Sequence, residues 1–225
     1  MPSIRNKPSV HDKPSVHDKP SVHDKPSVQN KPSVQNKHSE DALLDAARDC
    51  VLAVGLRRTT LTDVARRAGV SRMTIYRRWP DMTSLVGDLM TREWGTLTEA
   101  ATAAAGTGDG PTRPRFVAAL VAAVRALRRH PVFRRIVELD PEILLPYLTL
   151  RRGTSQDHML AMMTTAIAAG IADGSIRAGD PALLARAILL TGHGFALSMA
   201  TVTDGVTEDE LDAQLLVLLD RFLQS

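Results

Sequence analysis

From residue 39 onward, apolar residues recur every three to four positions, the period of helices buried on one face. Leu43, Ala46/Ala47, Cys50/Val51 and Val54 form the first such stripe, and Gly55 ends it. Ser39 reads as the N-cap of this helix, with Glu40 and Asp41 in a first turn where the helix dipole favours acids. Thr60 caps a second helix, with Asp63 in a capping-box arrangement, and that helix ends at Gly69. Ser71 caps a third, running to about Trp79. A fourth starts after Pro80-Asp81 and continues to about Ala105. The stretch GTGDGPTRP at 106–114 breaks the pattern and is the best internal boundary. Further helices are predicted over 115–129, 132–138, 142–150, 154–172, 182–200 and 208–223, with Asp140-Pro141 and Asp180-Pro181 as cap-plus-proline starts. No stretch alternates at period two, so the expected fold class is all-α.

The first 37 residues follow a different rule. KPSVHD occurs at 7–12, 13–18 and 19–24, and KPSVQN at 25–30 and 31–36. A proline every six residues, with a lone valine as the apolar residue, builds neither helix nor core. Residues 1–37 are expected to be a disordered tail, partly polyproline II, whose lysines add non-specific attraction for phosphates. His11, His17 and His23 lie two polyproline turns apart, but with no cysteine or denser histidine cluster they read as solvated, and no metal is expected.

Composition narrows the class. Apolar residues make up 44% of the 225, and aromatics only 4%, so the core is built from Ala, Leu, Val, Ile and Met, residues that suit helices. No apolar run reaches the roughly 18 to 20 residues needed to span a bilayer, and no signal-peptide core follows Met1. Cys50 is the sole cysteine and reads as a small buried residue. The expectation is a soluble cytoplasmic protein with no cofactor and no membrane partner.

Charge is distributed unevenly. Of a net +3, residues 1–37 hold +4 and residues 57–78 hold +6, which leaves −7 for the remainder. A basic island on an otherwise acidic protein is the footprint of a nucleic-acid binder. The island holds seven arginines against Asp63. A helix stabilised for itself would intersperse acids at i,i+4. TLTDVARRAGVSRMTIYRRW, residues 60–79, reads as a helix-turn-helix. Leu61, Val64, Ala65 and Ala68 form the inner face of its first helix, Gly69 supplies a positive φ for the turn, and Val70 plugs the angle. Ile75 and Trp79 make the inner stripe of the second helix, which leaves Arg72, Met73, Tyr76 and Arg77 outside. An α-helix fits the major groove of double-stranded DNA, where arginine can bond bidentately to guanine. Ser71 and the free N–H groups at its helix start can hold a phosphate oxygen, and Tyr76 and Arg78 can reach the flanking backbone.

Residues 39–94 resemble the DNA-binding domain of the TetR family of bacterial transcriptional regulators. The residues that carry the resemblance are LLDAARDCVLAVGLRRTTLTDVARRAGVSRMTIYRRWPDMTSLV, with the Gly55 stop, the Thr59-Thr60 pair, VARRAGVS, IYRRW and Leu85. The resemblance implies a three-helix DNA-binding domain over 38–96, with the helix-turn-helix at 60–79. It also implies a helical effector-binding and dimerisation domain over 97–225, about nine helices in all. It implies phosphate contacts from Thr60, Ser71, Tyr76 and Arg78, and base-edge contacts from Arg72, Met73, Thr74 and Arg77. One departure is Met82, where the family often has a lysine at the start of the fourth helix, so a phosphate clamp there relies on backbone N–H groups alone or is weaker.

The C-terminal 120 residues resemble the family only in helical style. There PALLARAILLTGHGFALSMA and DELDAQLLVLLDRFL would pair with their copies in a homodimer, which a palindromic operator also requires geometrically. An unknown small apolar effector would be enclosed by Trp94, Phe116, Phe133, Tyr147, Met159, Met162, Met163, His193 and Phe195, although such residues also serve as ordinary core. The function expected is a homodimeric repressor released from its operator by that effector. An activator, or a nucleoid-type binder without effector, is the alternative. A helical enzyme finds no support in any Ser/His/Asp ordering, HExxH or P-loop pattern. His193, between Gly192 and Gly194, fits a close helix-packing point better than a catalytic base.

Overall fold

A computed structural model describes residues 34–106 and 110–225, with side chains from Glu40 onward. Of the tail expected over 1–37, residues 1–33 lie outside the described residues, and 34–37 belong to the first helix rather than to a tail. Ten α-helices follow in chain order among them: α1 (Val34–Val54), α2 (Leu61–Arg67), α3 (Arg72–Arg78), α4 (Met82–Ala104), α5 (Thr112–Arg129), α6 (Pro131–Leu139), α7 (Leu145–Thr149), α8 (Thr154–Ala172), α9 (Pro181–Leu197) and α10 (Glu208–Leu223). Single 3₁₀ turns fall at Pro141–Ile143 and Met199–Thr201. One isolated antiparallel bridge joins Ile176 to Gln224.

The helix starts follow the local signals with two exceptions, Ser39 and Asp140. The carboxylate of Asp140 is taken by the Leu56 N–H, so Pro141 opens only a 3₁₀ turn and α7 does not start until Leu145. Thr60, Ser71, Asp81, Asp180 and Thr207 each accept a backbone N–H from the first turn that follows. Ser39 does not start α1; the helix begins at Val34, inside the last hexapeptide. Pro32 is the last residue of the repeat that forbids helix, and neither Pro nor Gly occurs again before Gly55. The helix therefore extends backward past a good cap.

Two cores organise the chain. The first gathers Leu43, Ala47 and Val51 of α1, Leu61 and Val64 of α2, Ile75 of α3, Trp79, and Leu85 and Leu89 of α4. Val132 and Ile136 of α6 join it, so a helix from beyond residue 97 completes the core of the N-terminal unit. The second core gathers Val117 and Val121 of α5, Met163 and Ile167 of α8, Leu184 and Ile188 of α9, and Leu215 and Leu219 of α10. Helix α4 passes through the expected boundary at 96/97 without a break.

The two halves are fastened where α1 turns into α2. Gly55 has φ +87°, a backbone that strains any L side chain. A Cβ there would sit 2.9 Å from Asp140 Oδ2. That oxygen accepts the backbone N–H of Leu56 at 2.7 Å and of Arg57 at 3.4 Å, and Asp140 is buried. Arg57 pairs with Glu142 at 2.7 Å, and Arg135 donates to the Ala53 carbonyl at 3.2 Å. The corner leading into the helix-turn-helix is thus held by the end of α6.

Helix α10 has its own anchor. Asp212 is buried, and its Oδ2 accepts from Arg125 Nε and Arg128 Nη2, both at 2.8 Å and both on α5. Burial pushes the Asp212 carboxyl up, but the bonds and charges of Arg128 and Arg125 outweigh it and hold the group below its usual range. The anchor therefore contributes fully above the unfolded aspartate value of about 3.9 and is lost as pH falls through the lower folded value.

Two stability outcomes follow from these contacts. Asp140→Ala orphans the buried Leu56 N–H and should cost about 1–3 kcal/mol, read as a lower urea midpoint at unchanged slope. Asp212→Asn should already be destabilised at neutral pH and should lose less further stability on acidification than the wild type, read from thermal unfolding between pH 6 and pH 2.

Candidate nucleic-acid interface and its link to the helical half

The turn between α2 and α3 is built by Gly69, with φ +68°, and by the Val70 N–H, which returns to the Ala65 carbonyl at 3.0 Å. Val70 is half-buried against the first core. Ile75 and Trp79, four apart, are fully buried and set the rotation of α3. The opposite face carries Arg72, Met73, Tyr76 and Arg77, all exposed; Met73 is 79% exposed, far from what a methionine finds in a core. Thr74 sits half-buried at the side of the helix, its hydroxyl 2.9 Å from Ser71 Oγ.

The basic island resolves into paired and unpaired charges. Arg57 pairs with Glu142, Arg66 with Asp63 and Arg67 with Asp49. Arg78 reaches Glu40 at 2.6 Å and Asp88 at 3.1 Å, and its guanidinium stacks 4.9 Å over the Trp79 ring. The Glu40 hydrogen bond, ahead of its charge and that of Asp88, holds the Arg78 guanidinium above its ordinary value against the opposing effect of burial. Asp88 also accepts the Trp79 indole N–H at 2.8 Å. Arg78 therefore ties α1, the end of α3 and α4 together. Arg58, Arg72 and Arg77 have no acidic partner among the described residues. At the start of α4, Asp81 Oδ1 accepts the Ser84 N–H at 2.8 Å, so a carboxylate already occupies a donor there, while Met82 packs on the core.

A second polar cluster joins this unit to the helices beyond it. Glu93 of α4 is buried and meets Arg48 of α1 at 3.4 Å, Arg92 at 2.9 Å and His130, between α5 and α6, at 3.2 Å. Burial lowers the His130 pKa, and the Arg48 charge adds to this against the pull of Glu93, whose Oε2 lies 3.2 Å from the ring Nε2. The His130 ring packs edge-on to Trp94 at 5.2 Å, and Trp94 in turn meets Phe133 at 5.9 Å.

Trp94 lines two cavities. The larger, about 840 Å³, lies among α4, α5, α8 and α9 and is walled by Trp94, Phe116, Met159, Met162, Met163 and His193. The smaller, about 570 Å³, extends from Trp94, Met159 and His193 to Phe133, Tyr147 and the start of α4. Of the residues expected around an effector, Phe195 lines neither cavity and packs on the second core instead. Burial holds the His193 imidazole below its ordinary pKa, and Gln156 Nε2 lies 3.4 Å from its Nε2. Arg115 and the small residues Ala119 and Ala123 of α5 also line the larger cavity. The alanines had a signal in sequence, a four-residue spacing of small side chains that leaves room beside a helix. Arg115 had none, because an arginine in a first turn reads as solvated. Among the described residues, no three His, Cys, Asp or Glu side chains gather as a metal site, and no helix is long and apolar enough to cross a membrane.

Comparison with known proteins decides the family. Residues 43–89 match the family described as bacterial regulatory proteins, tetR family, and residues 114–223 match the tetracyclin repressor-like C-terminal domain. An HTH-type transcriptional regulator of Mycobacterium bovis is 32% identical over 166 residues, 74% of this chain and 84% of that one. The chain belongs to the TetR family. Solved structures carry the same fold at lower identity. The Bacillus subtilis regulator FadR in complex with stearoyl-CoA is 17% identical, with 82% of this chain and 99% of that one covered and a TM-score of 0.56. A Saccharomonospora viridis transcriptional regulator in complex with choline is 18% identical, with 84% and 99% covered and a TM-score of 0.58. This TetR-family chain is thus a DNA-binding regulator with an N-terminal helix-turn-helix and a C-terminal helical domain.

The pairing of Arg78 sets up a clear outcome. Arg78→Ala should lower stability by about 1 kcal/mol or less, since its ion pairs are partly exposed. It should leave the salt dependence of DNA binding unchanged, whereas loss of a true phosphate contact would reduce that slope by about one. Binding titrations across a salt series separate the two.

Proposed function

We propose that this protein is a homodimeric repressor whose paired α3 helices read successive major grooves of a palindromic operator, and that a small apolar effector releases it. The observation that carries this reading is the outer face of α3. Among the described residues Arg72 and Arg77 stand there exposed and without acidic partners, while most arginines around them are internally paired. An unpaired guanidinium can bond bidentately to guanine O6 and N7, and Met73 offers an apolar contact to a thymine methyl. Thr74 joins the base edge in this assignment, with Thr60, Ser71 and Tyr76 on the flanking phosphates.

The apolar surface of α9 and α10 supports a dimer. Leu183 and Leu190 are 63% and 71% exposed, and Leu216, Val217 and Leu218 are about half exposed. Large exposed apolar side chains in this number on two helices fit an interaction surface. Two-fold pairing across them would set the α3 helices about 34–36 Å apart, one turn of DNA. The larger cavity supports an effector, since its volume of about 840 Å³ falls in the range of small-molecule sites. Trp94 stands between that cavity and the His130–Glu93–Arg48 contacts to α1. A ligand that presses on Trp94 would favour a conformer in which α1 and α4 tilt and the α3 pair loses its spacing.

The test is a gel shift with DNA flanking the protein's own gene, at fixed near-physiological salt and with excess random competitor. A competitor-resistant band supports a specific regulator, and a band that random DNA removes counts against one at that locus. Arg77→Ala should cost about 1–3 kcal/mol on the operator and much less on random DNA; equal loss on both would overturn its base-reading role. Leu190→Glu combined with Leu218→Glu should convert the dimer to monomer in sedimentation equilibrium and abolish the specific band.

A further inference from the structure

Among the described residues, the larger cavity has one charged side chain in its wall and no opposite charge to meet it. Arg115 is half-buried on the first turns of α5, and among the described residues no aspartate or glutamate lines the space. Its neighbour Arg113 is satisfied by Asp220 at 2.7 Å, whereas Arg115 has no acidic partner among the described residues. The other polar groups offer little. The hydroxyls of Thr98, Thr102 and Thr165 donate back to the carbonyls of Trp94, Thr98 and Ala161 on their own helices. His193 is kept neutral by burial and stands at the far end, where a Cβ on its neighbour Gly192 would lie 3.5 Å from Val124. Arg115 and Val124 are nine residues apart on one helix, about 14 Å at the helical rise. Between them the wall is Phe116, Ala119, Leu120 and Ala123, with Met159 and Met162 across from α5.

We infer that the effector is a long hydrocarbon carboxylate, its headgroup bonded to Arg115 and its chain lying along α5 toward Trp94 and His193. This rests on the effector reading above and names the chemistry of that site. A guanidinium beside an apolar space gains most from a carboxylate, which it can meet with two parallel hydrogen bonds. It repels a cationic amphiphile of the same shape. The neutral imidazole at the other end accepts an apolar terminus without a charge to solvate. A chain that spans the distance ends against Trp94, the ring that bears on His130 and Phe133.

The experiment is calorimetric titration of the full-length protein with decanoate, 1-decanol and decylammonium, three probes that differ only at the head. Decanoate should bind at least tenfold more tightly than decanol, and decylammonium should not bind. Arg115→Gln should remove that tenfold preference while leaving decanol affinity unchanged, which also shows that the variant is folded. Arg115→Lys should restore part of the preference, because it keeps the charge but loses the paired geometry. Equal binding of decanoate and decanol, unmoved by Arg115→Gln, would overturn the headgroup assignment and leave an apolar effector standing. No binding by any probe would overturn the ligand class, while the gel shift still reports on DNA recognition. Decanoate bound through Arg115 with the specific DNA band intact would keep the site and overturn its role in release.

Discussion

One helix belongs to both halves of this molecule, and the remaining parts are arranged around it. Helix α4 is 23 residues long, about 34 Å. Near its start, Leu85 and Leu89 complete the first core and Asp88 holds Trp79 and Arg78 at the end of α3. Further along, Trp94, Leu97 and Thr98 form one wall of the larger cavity. Helix α4 runs unbroken from the first core past Trp94, so it links the cavity wall to the residues that hold the end of α3. The short helix α6 runs a second route: Phe133 lines the smaller cavity and Asp140 grips the corner between α1 and α2. These two connections join the unit that carries α3 to the cavity walls among the described residues.

The electrostatics divide the same way. A stretch of chain with net charge +6 would repel itself if its arginines were all left unpaired. The fold instead spends four of them on carboxylates from α1, α2, α4 and the turn after α6. Those pairs brace the helix-turn-helix, and two of the unpaired arginines, Arg72 and Arg77, stand on the exposed face of α3. Binding chemistry and structural bracing thus use the same residue type, and the presence or absence of a carboxylate partner separates the two.

Much of this was legible before any coordinates. Caps such as Thr60, Ser71 and Asp180 act within three residues of themselves, so a local pattern was enough to place α2, α3 and α9. The outward set Arg72, Met73, Tyr76 and Arg77 followed from the spacing of Ile75 and Trp79 alone. What escaped depends on residues far apart. Nothing near Asp140 shows that it serves Leu56, and nothing near Arg78 shows that Glu40 will reach it. Phe195 and Phe116 looked equivalent as apolar aromatics, yet one faces a core and the other a cavity, which is a matter of helix rotation. Ser39 looked like a start because it is a good cap, but a cap ends a helix only where the chain before it cannot continue one.

Gly55 and Asp140 close the corner from opposite sides. The glycine leaves the space that the carboxylate fills, and the carboxylate takes the N–H that follows the glycine. A larger residue at 55 pushes the acid out, and a shorter or apolar one at 140 strands the amide. Neither position can drift alone without loosening the corner. Among descendants of this sequence the two should change together or not at all, a pairing recorded in lineages rather than in any one molecule.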